Sequence, residues 1–180
     1  MLILEGSDCL GKTTFANLLV KMAAEDERYP IYYAHMTRPN CAFDFCYHYK
    51  ERITKLAVQD RFHIGGIIWH HNMITQNTLE IIEGWLAETL SQVVIFHATD
   101  LDWYFEKLKT DKRGNLLSIE AMMNANNNYY RIAVGGHQLE VKTDYCFNIK
   151  EMGKDPTYPG EKEAREILDS WYKNLEVLNA

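Results

Sequence analysis

A chain of 180 residues, 47% of them apolar and 24% charged, carries enough hydrophobic residues for one domain with a full-sized core, which excludes a disordered protein. Its 19 Lys and Arg against 25 Asp and Glu leave a net charge of -6, the wrong sign for a surface that grips nucleic acid throughout, so any polyanion must be held locally. The apolar runs are a few residues long, far short of the roughly 20 of a membrane-spanning helix, and Met1-Leu2-Ile3-Leu4 lacks the features of a signal peptide, so a cytoplasmic protein is expected.

Four cysteines, Cys9, Cys41, Cys46 and Cys146, form no C-x-x-C pair, which argues against a zinc site and a disulfide framework. No Pro/Gly/Ser-rich linker is present, and one domain over residues 1–180 is expected. In chain order, Leu2-Ile3-Leu4 reads as a short buried strand. Phe15, Leu18, Leu19, Met22 and Ala23 then follow at the spacing of an amphipathic helix. Ile31 to Ala34 is a second strand, Phe43 to Lys55 an aromatic-rich helical segment, and Leu56 to Val58 a short third strand. Leu79, Ile82, Leu86 and Leu90 mark a helix feeding the strand Val93 to His97. Residues 100–131 read as helical around a basic, Gly-containing turn, Tyr145 to Ile149 as a strand, and Ala164, Leu168, Trp171, Leu175 and Leu178 as a final helix. This alternation predicts an α/β fold in three layers, with a central, mainly parallel sheet of about five strands and a small helical lid near residues 107–118.

Gly6-Ser7-Asp8-Cys9-Leu10-Gly11-Lys12-Thr13 matches G-x-x-x-x-G-K-[ST] between a predicted strand and a predicted helix, the context that makes the match specific. Its glycines let backbone N–H groups face phosphate oxygens, and the following helix adds the positive end of its dipole. Lys12 is expected on the β- and γ-phosphates of ATP and the Thr13 hydroxyl on Mg²⁺. In a parallel sheet ligands gather at the carboxyl ends of strands, where Arg38 and Asp60-Arg61 also fall. Arg38 and Arg61 are either anion-binding groups for a second phosphate or surface arginines. Asp60 either holds Mg²⁺ through water or orients Arg61. Lys107, Lys109, Lys112 and Arg113-Gly114 have the makings of a basic flap, with Arg113 its foremost residue, or of a solvated charged face.

Leu4-Glu5-Gly6-Ser7-Asp8-Cys9-Leu10-Gly11-Lys12-Thr13-Thr14 resembles the phosphate loop of thymidylate kinases, E-G-x-D-x-x-G-K-T-T. The resemblance implies that Thr14 joins Gly6, Asp8, Gly11, Lys12 and Thr13 around the nucleotide, and that the Asp8 carboxylate accepts from a deoxyribose 3′-hydroxyl. Thr37-Arg38-Pro39 is similar to the family's T-R-E-P, whose arginine binds the monophosphate, although Pro39 here follows Arg38 directly. Asp60-Arg61-Phe62 is similar to its D-R-Y. The short segment from Pro39 to Asp60 resembles the compact deoxynucleotide kinases of bacteriophages. Phe43, Phe45, Tyr47 and Tyr49 offer rings for a base pocket or for the core, and Arg52 a donor, with Phe45 and Arg52 assigned to substrate. His63 and His70-His71 line that pocket or lie on the surface.

The expected activity is ATP- and Mg²⁺-dependent phosphorylation of a deoxynucleoside monophosphate, foremost dTMP, to the diphosphate by direct in-line transfer, with Lys12, Asp60, Arg61 and Arg113 as the catalytic set. Two alternatives stay open. One is a deoxynucleoside kinase acting on a 5′-hydroxyl, for which Glu5 is the available base, and the other is a phosphate-loop ATPase or switch that binds a protein or DNA partner. Nucleotide substrates, no specific nucleic-acid binding and no membrane partner are expected. The resemblance implies a homodimer, with Trp69, Trp85 and Trp171 as candidate interface residues.

Overall fold

The computed structural model describes residues 1–27, 31–35, 49–54, 56–69, 74–110, 117–138, 141–152 and 155–179. Five strands, β1 (Leu2–Gly6), β2 (Tyr32–His35), β3 (Ala57–Asp60), β4 (Gln92–His97) and β5 (Tyr145–Asn148), form one sheet in the order β2-β3-β1-β4-β5. Every pairing in it is parallel. A two-stranded antiparallel ribbon follows, β6 (Glu151–Met152) with β7 (Asp155–Pro156), which the sequence patterning does not announce. Among the described residues the helices are α1 (Lys12–Asp26), α2 (His63–Trp69), α3 (Gln76–Glu88), α4 (Leu101–Thr110), α5 (Ile119–Ala133) and α6 (Glu161–Asn179). None of them is long and apolar enough to cross a membrane.

The near-continuous apolar runs of β1 and β4 follow from a sheet covered on both faces. Every residue of both strands is buried. Their alternate side chains divide the core in two. Leu2, Leu4, Val94 and Phe96 pack with Phe15 and Leu19 of α1, Tyr104 and Leu108 of α4 and Trp171 of α6. Ile3, Val93 and Ile95 pack with Ile64 and Ile67 of α2, Leu79 and Ile82 of α3 and Tyr129 of α5. Helix α5 serves both cores, since Met122 belongs to the first. Asn126 on the same helix is fully buried and uses both amide atoms on Ala98, at 2.8 Å to its N and 2.8 Å to its O. Asn126 thereby anchors α5 to the residue that follows β4.

Several boundaries differ from the sequence expectation. Strand β3 runs two residues past Val58, because Gln59 and Asp60 pair in register with Ile3 and Leu4. Asp60 therefore belongs to the strand end itself. Strand β2 lies one residue later than expected, and its edge position leaves it only partly buried. Of the helical segment expected over 43–55, the described part is helical at Tyr49 and Lys50 and then ends in a turn, in which Arg52 N–H donates to Tyr49 O at 3.0 Å. Tyr49 itself lies in the core, edge-on to Phe62 with ring centroids 5.0 Å apart. Trp171 is also fully buried within the chain, stacked on Tyr172, and so is covered without any partner.

Candidate functional site

The site grows from the end of β1, the central strand. Gly6 has φ +147, and a Cβ there would stand 2.5 Å from Phe96 O, so only glycine lets the chain leave β1 this close to β4. The loop then enters α1 through Gly11 at φ +83, whose O accepts from Phe15 N–H at 2.9 Å. The Tyr158 ring covers Gly11, 2.7 Å from where a Cβ would be. Lys12 folds back over the loop and donates from Nζ to Ser7 O at 2.7 Å. Its ammonium is thereby held over the loop where both line the cleft.

Asp60 stands opposite Thr13. Its Oδ2 accepts from Thr13 Oγ1 at 3.0 Å and from Tyr33 Oη at 2.9 Å, with His35 Nδ1 at 3.5 Å. Its Oδ1 is buried with no hydrogen-bond partner among the described residues. Burial alone would raise the Asp60 pKa, but the hydrogen bonds from His35 and Tyr33 and the charge of Lys12 prevail and hold it below its ordinary value of 3.8. The hydrogen bond to Asp60 raises His35 in turn, against a smaller opposing effect of burial. A hydroxyl and an ionised carboxylate with one unused oxygen, beside a phosphate cradle, suit a hard cation that takes oxygen ligands. No cluster of three or more His, Cys, Asp or Glu among the described residues would hold a metal unaided. A cation on Thr13 and Asp60 would therefore need further oxygen ligands from outside these residues.

Arg61, the next residue, has φ +66 and donates its backbone N–H to Leu4 O at 2.8 Å. Its guanidinium bonds the Asp8 carboxylate through Nη2, while Nε is buried without a hydrogen-bond partner among the described residues. The two groups expected on the acceptor side thus meet each other. Beneath them lies Glu5, fully buried. Its Oε1 accepts from the N–H groups of Phe62, Ile64 and Gly65 at 2.7, 3.1 and 3.2 Å, and its Oε2 from Tyr129 Oη at 3.1 Å. These are first-turn amides of α2, which have no partner within the helix. Glu5 caps α2 from across the sheet and holds the turn that carries Asp60 and Arg61. Burial pushes its carboxyl pKa up against those hydrogen bonds and the neighbouring His63. The expectation that Glu5 is available as a base is corrected accordingly: its oxygens are enclosed and already engaged.

These elements enclose a cleft of about 800 Å³. Asp8, Lys12, Thr13, Asp60 and Arg61 line its charged part, and Thr14, Leu18, Tyr158 and Pro159 lie along it toward the C-terminal loop. Of the basic stretch, Lys107 lines the cleft with its Nζ 5.8 Å from the centre of the Tyr158 ring. Lys109 turns aside to Glu106, 2.7 Å away, and to the face of Phe105. Arg52 is half-buried near Tyr49 and is not part of the cleft lining. Arg38, Phe45, Phe43, Tyr47, Lys112, Arg113 and His70-His71 lie outside the described residues. His63 is fully buried, 3.8 Å from Glu83, so among the alternatives for it the surface one is excluded. Sequence reasoning missed Ser7, Tyr33, His35, Tyr104 and Tyr158. The strand-end rule that found Arg61 would have found His35 as well, whereas Tyr33 lies inside β2.

A parallel five-stranded sheet with helices on both faces, and a phosphate loop leaving its central strand, is the three-layer phosphate-loop NTPase fold. In fold, the chain is similar to the YorR protein of Bacillus subtilis, solved in complex with phosphorylated GDP, with a TM-score of 0.69 and 19% identity over 94% of each chain. No family model matches the chain. No curated protein matches it either.

Proposed function

We propose that the protein is a nucleoside monophosphate kinase that moves the γ-phosphoryl group of ATP, with Mg²⁺, to the 5′-phosphate of a deoxynucleotide, dTMP being the first candidate. The observation that carries this reading is the convergence of a phosphate loop, the Thr13–Asp60 pair and the Arg61–Asp8 pair on one cleft. A triphosphate and a monophosphate side by side bring about six negative charges, and phosphoryl transfer is catalysed chiefly by positioning and charge stabilisation. The similar YorR protein, with its phosphorylated nucleotide, supports a nucleotide in the equivalent fold.

In this reading the loop amides and Lys12 cradle the donor phosphates, and Thr13 and Asp60 hold Mg²⁺. When bound, the ion neutralises charge on the phosphate oxygens. Arg61 exchanges its carboxylate partner for the acceptor phosphate, which frees Asp8 for the deoxyribose 3′-hydroxyl. An acceptor phosphate oxygen forms the new bond to the γ-phosphorus as the bond to the β-phosphate oxygen breaks, and ADP leaves without a covalent enzyme intermediate. Arg38 and Arg113 complete the charge complement. Release of ADP from ATP and Mg²⁺, measured with nucleoside monophosphates, deoxynucleoside monophosphates and free nucleosides, tests the reading. Stimulation by a deoxynucleoside monophosphate with its diphosphate as product is expected. Stimulation by free nucleosides alone, or by no acceptor, overturns it.

A further inference from the structure

The phosphate loop is braced from behind by a contact that the reaction above does not use. Tyr104, fully buried on α4, places its Oη 2.7 Å from Ser7 Oγ and 2.8 Å from Asp8 O. Ser7, also fully buried, places its Oγ 3.1 Å from Met122 O on α5. Three contacts therefore share two hydroxyl protons, because the carbonyls of Asp8 and Met122 only accept. In one arrangement Ser7 donates to Met122 and Tyr104 to Ser7, leaving the Asp8 carbonyl a share of the same proton at best. In a second Tyr104 donates to Asp8, Ser7 donates to Tyr104, and Met122 O loses its bond from Ser7; in a third both carbonyls are satisfied and no proton lies between Tyr104 and Ser7. The first ties the loop to α4 and α5 together through Ser7, and the second ties it to α4 alone.

Helix α4 brings Lys107 and Thr110 to the cleft. Asp8, whose carbonyl receives one of the two bonds, is the residue that pairs with Arg61. We propose that Tyr104 is a positioning residue that couples the shape of the phosphate loop, and through Asp8 the Arg61 pair, to the placement of α4. The coupling rests on the nucleotide-binding reading above but not on the identity of the acceptor. Burial pushes the Tyr104 pKa up, so the shared proton is retained across the neutral range.

Trp103, beside Tyr104 on α4, supplies a reporter, since Lys107 Nζ lies 5.8 Å from its ring and 5.8 Å from the ring of Tyr158, which lies outside that helix. The measured quantity is the ATP-induced change in tryptophan emission that is absent from a Trp103→Phe control, alongside the ATP dissociation constant by calorimetry. In Tyr104→Phe, ATP affinity should stay within about threefold of wild type while the Trp103 signal falls to less than half. Turnover should fall about tenfold with KM for ATP little changed, a split that a merely structural role would not produce. Should Tyr104→Phe fail to fold, Ser7→Ala removes the oxygen shared by Tyr104 and Met122 and should also diminish the Trp103 signal at preserved ATP affinity. A full Trp103 signal in the folded variant, or wild type that binds ATP without any Trp103 signal, overturns the proposal. ATP binding with a Trp103 signal but no transfer to any acceptor overturns the kinase reading alone.

Discussion

Glu5 offers the sharpest test of how the site is built, because one carboxylate satisfies three backbone amides and a phenol contributed from far along the chain. Glu5→Ala strands the buried N–H groups of Phe62, Ile64 and Gly65, each at a cost of about 1–3 kcal/mol. Removing a buried carboxylate returns several kcal/mol of desolvation, so a net loss of about 3 kcal/mol is expected. For a chain of this size that corresponds to a fall in Tm of about 6–12 °C. Glu5→Gln keeps an oxygen for the three amides and asks the Tyr129 hydroxyl to turn, which costs about 1–1.5 kcal/mol. Thermal and urea unfolding of wild type and both variants, with turnover measured per folded molecule, gives the comparison. Glu5→Gln should retain turnover within about threefold, since a cap needs an acceptor and no proton transfer. An unshifted Tm in Glu5→Ala would refute the capping argument. A hundredfold loss of turnover in a fully stable Glu5→Gln would show Glu5 to be a base and restore the 5′-hydroxyl reading.

Lys12→Ala should lower turnover about a hundredfold or more at nearly unchanged Tm, as measured by coupled ADP release, the scale of losing one transition-state charge contact. Asp60→Asn removes the charge that faces Thr13 and should raise the Mg²⁺ concentration needed for half-maximal activity at least tenfold, read from Mg²⁺ titrations at fixed ATP. The same variant tests a pH dependence: the folded pKa of Asp60 lies below its ordinary 3.8, so its stabilisation is present above that value and is lost as pH falls through the folded one. Acid unfolding of Asp60→Asn should accordingly be less steep below about pH 4 than that of wild type. Gly11→Ala meets both a left-handed backbone and the Tyr158 ring, and should lose about 1–2 kcal/mol from φ alone. Adding Tyr158→Ala should recover only the steric remainder, as judged by urea midpoints.

What was legible in the sequence was local. Gly6 to Thr13 carries its chemistry in eight consecutive residues, and strand, loop and helix follow each other without a long-range partner. Most of the order of strands and helices was legible for the same reason, because apolar spacing reports each element separately, but the short α2 and the two-residue strands of the β6–β7 ribbon are too short to show a period. The role of Glu5 was not, since its partners lie 57, 59, 60 and 124 residues away and nothing in Leu4-Glu5-Gly6 separates a cap from a base. Tyr104 and Asn126 were hidden likewise, as residues whose polar atoms acquire meaning only when α4 and α5 dock on the ends of β1 and β4. Tyr49 shows the converse: an aromatic near a predicted pocket looks the same in sequence whether it meets a ligand or Phe62.

Asp60 and Arg61 are adjacent in sequence, and adjacent residues on a strand point to opposite faces. The left-handed backbone at Arg61 breaks that alternation at the last possible residue, so both side chains open on the same cleft. The pair is therefore not portable as a dipeptide. Grafted onto the end of another parallel strand, it would send one residue to each side of the sheet unless the positive φ came with it. Here the turn that contains that φ is pinned by Leu4 O in front and by the Glu5 cap behind. The smallest transferable unit is the end of β1, the end of β3 and the first turn of α2 together, and a designer who moves less than that would be moving letters without their geometry.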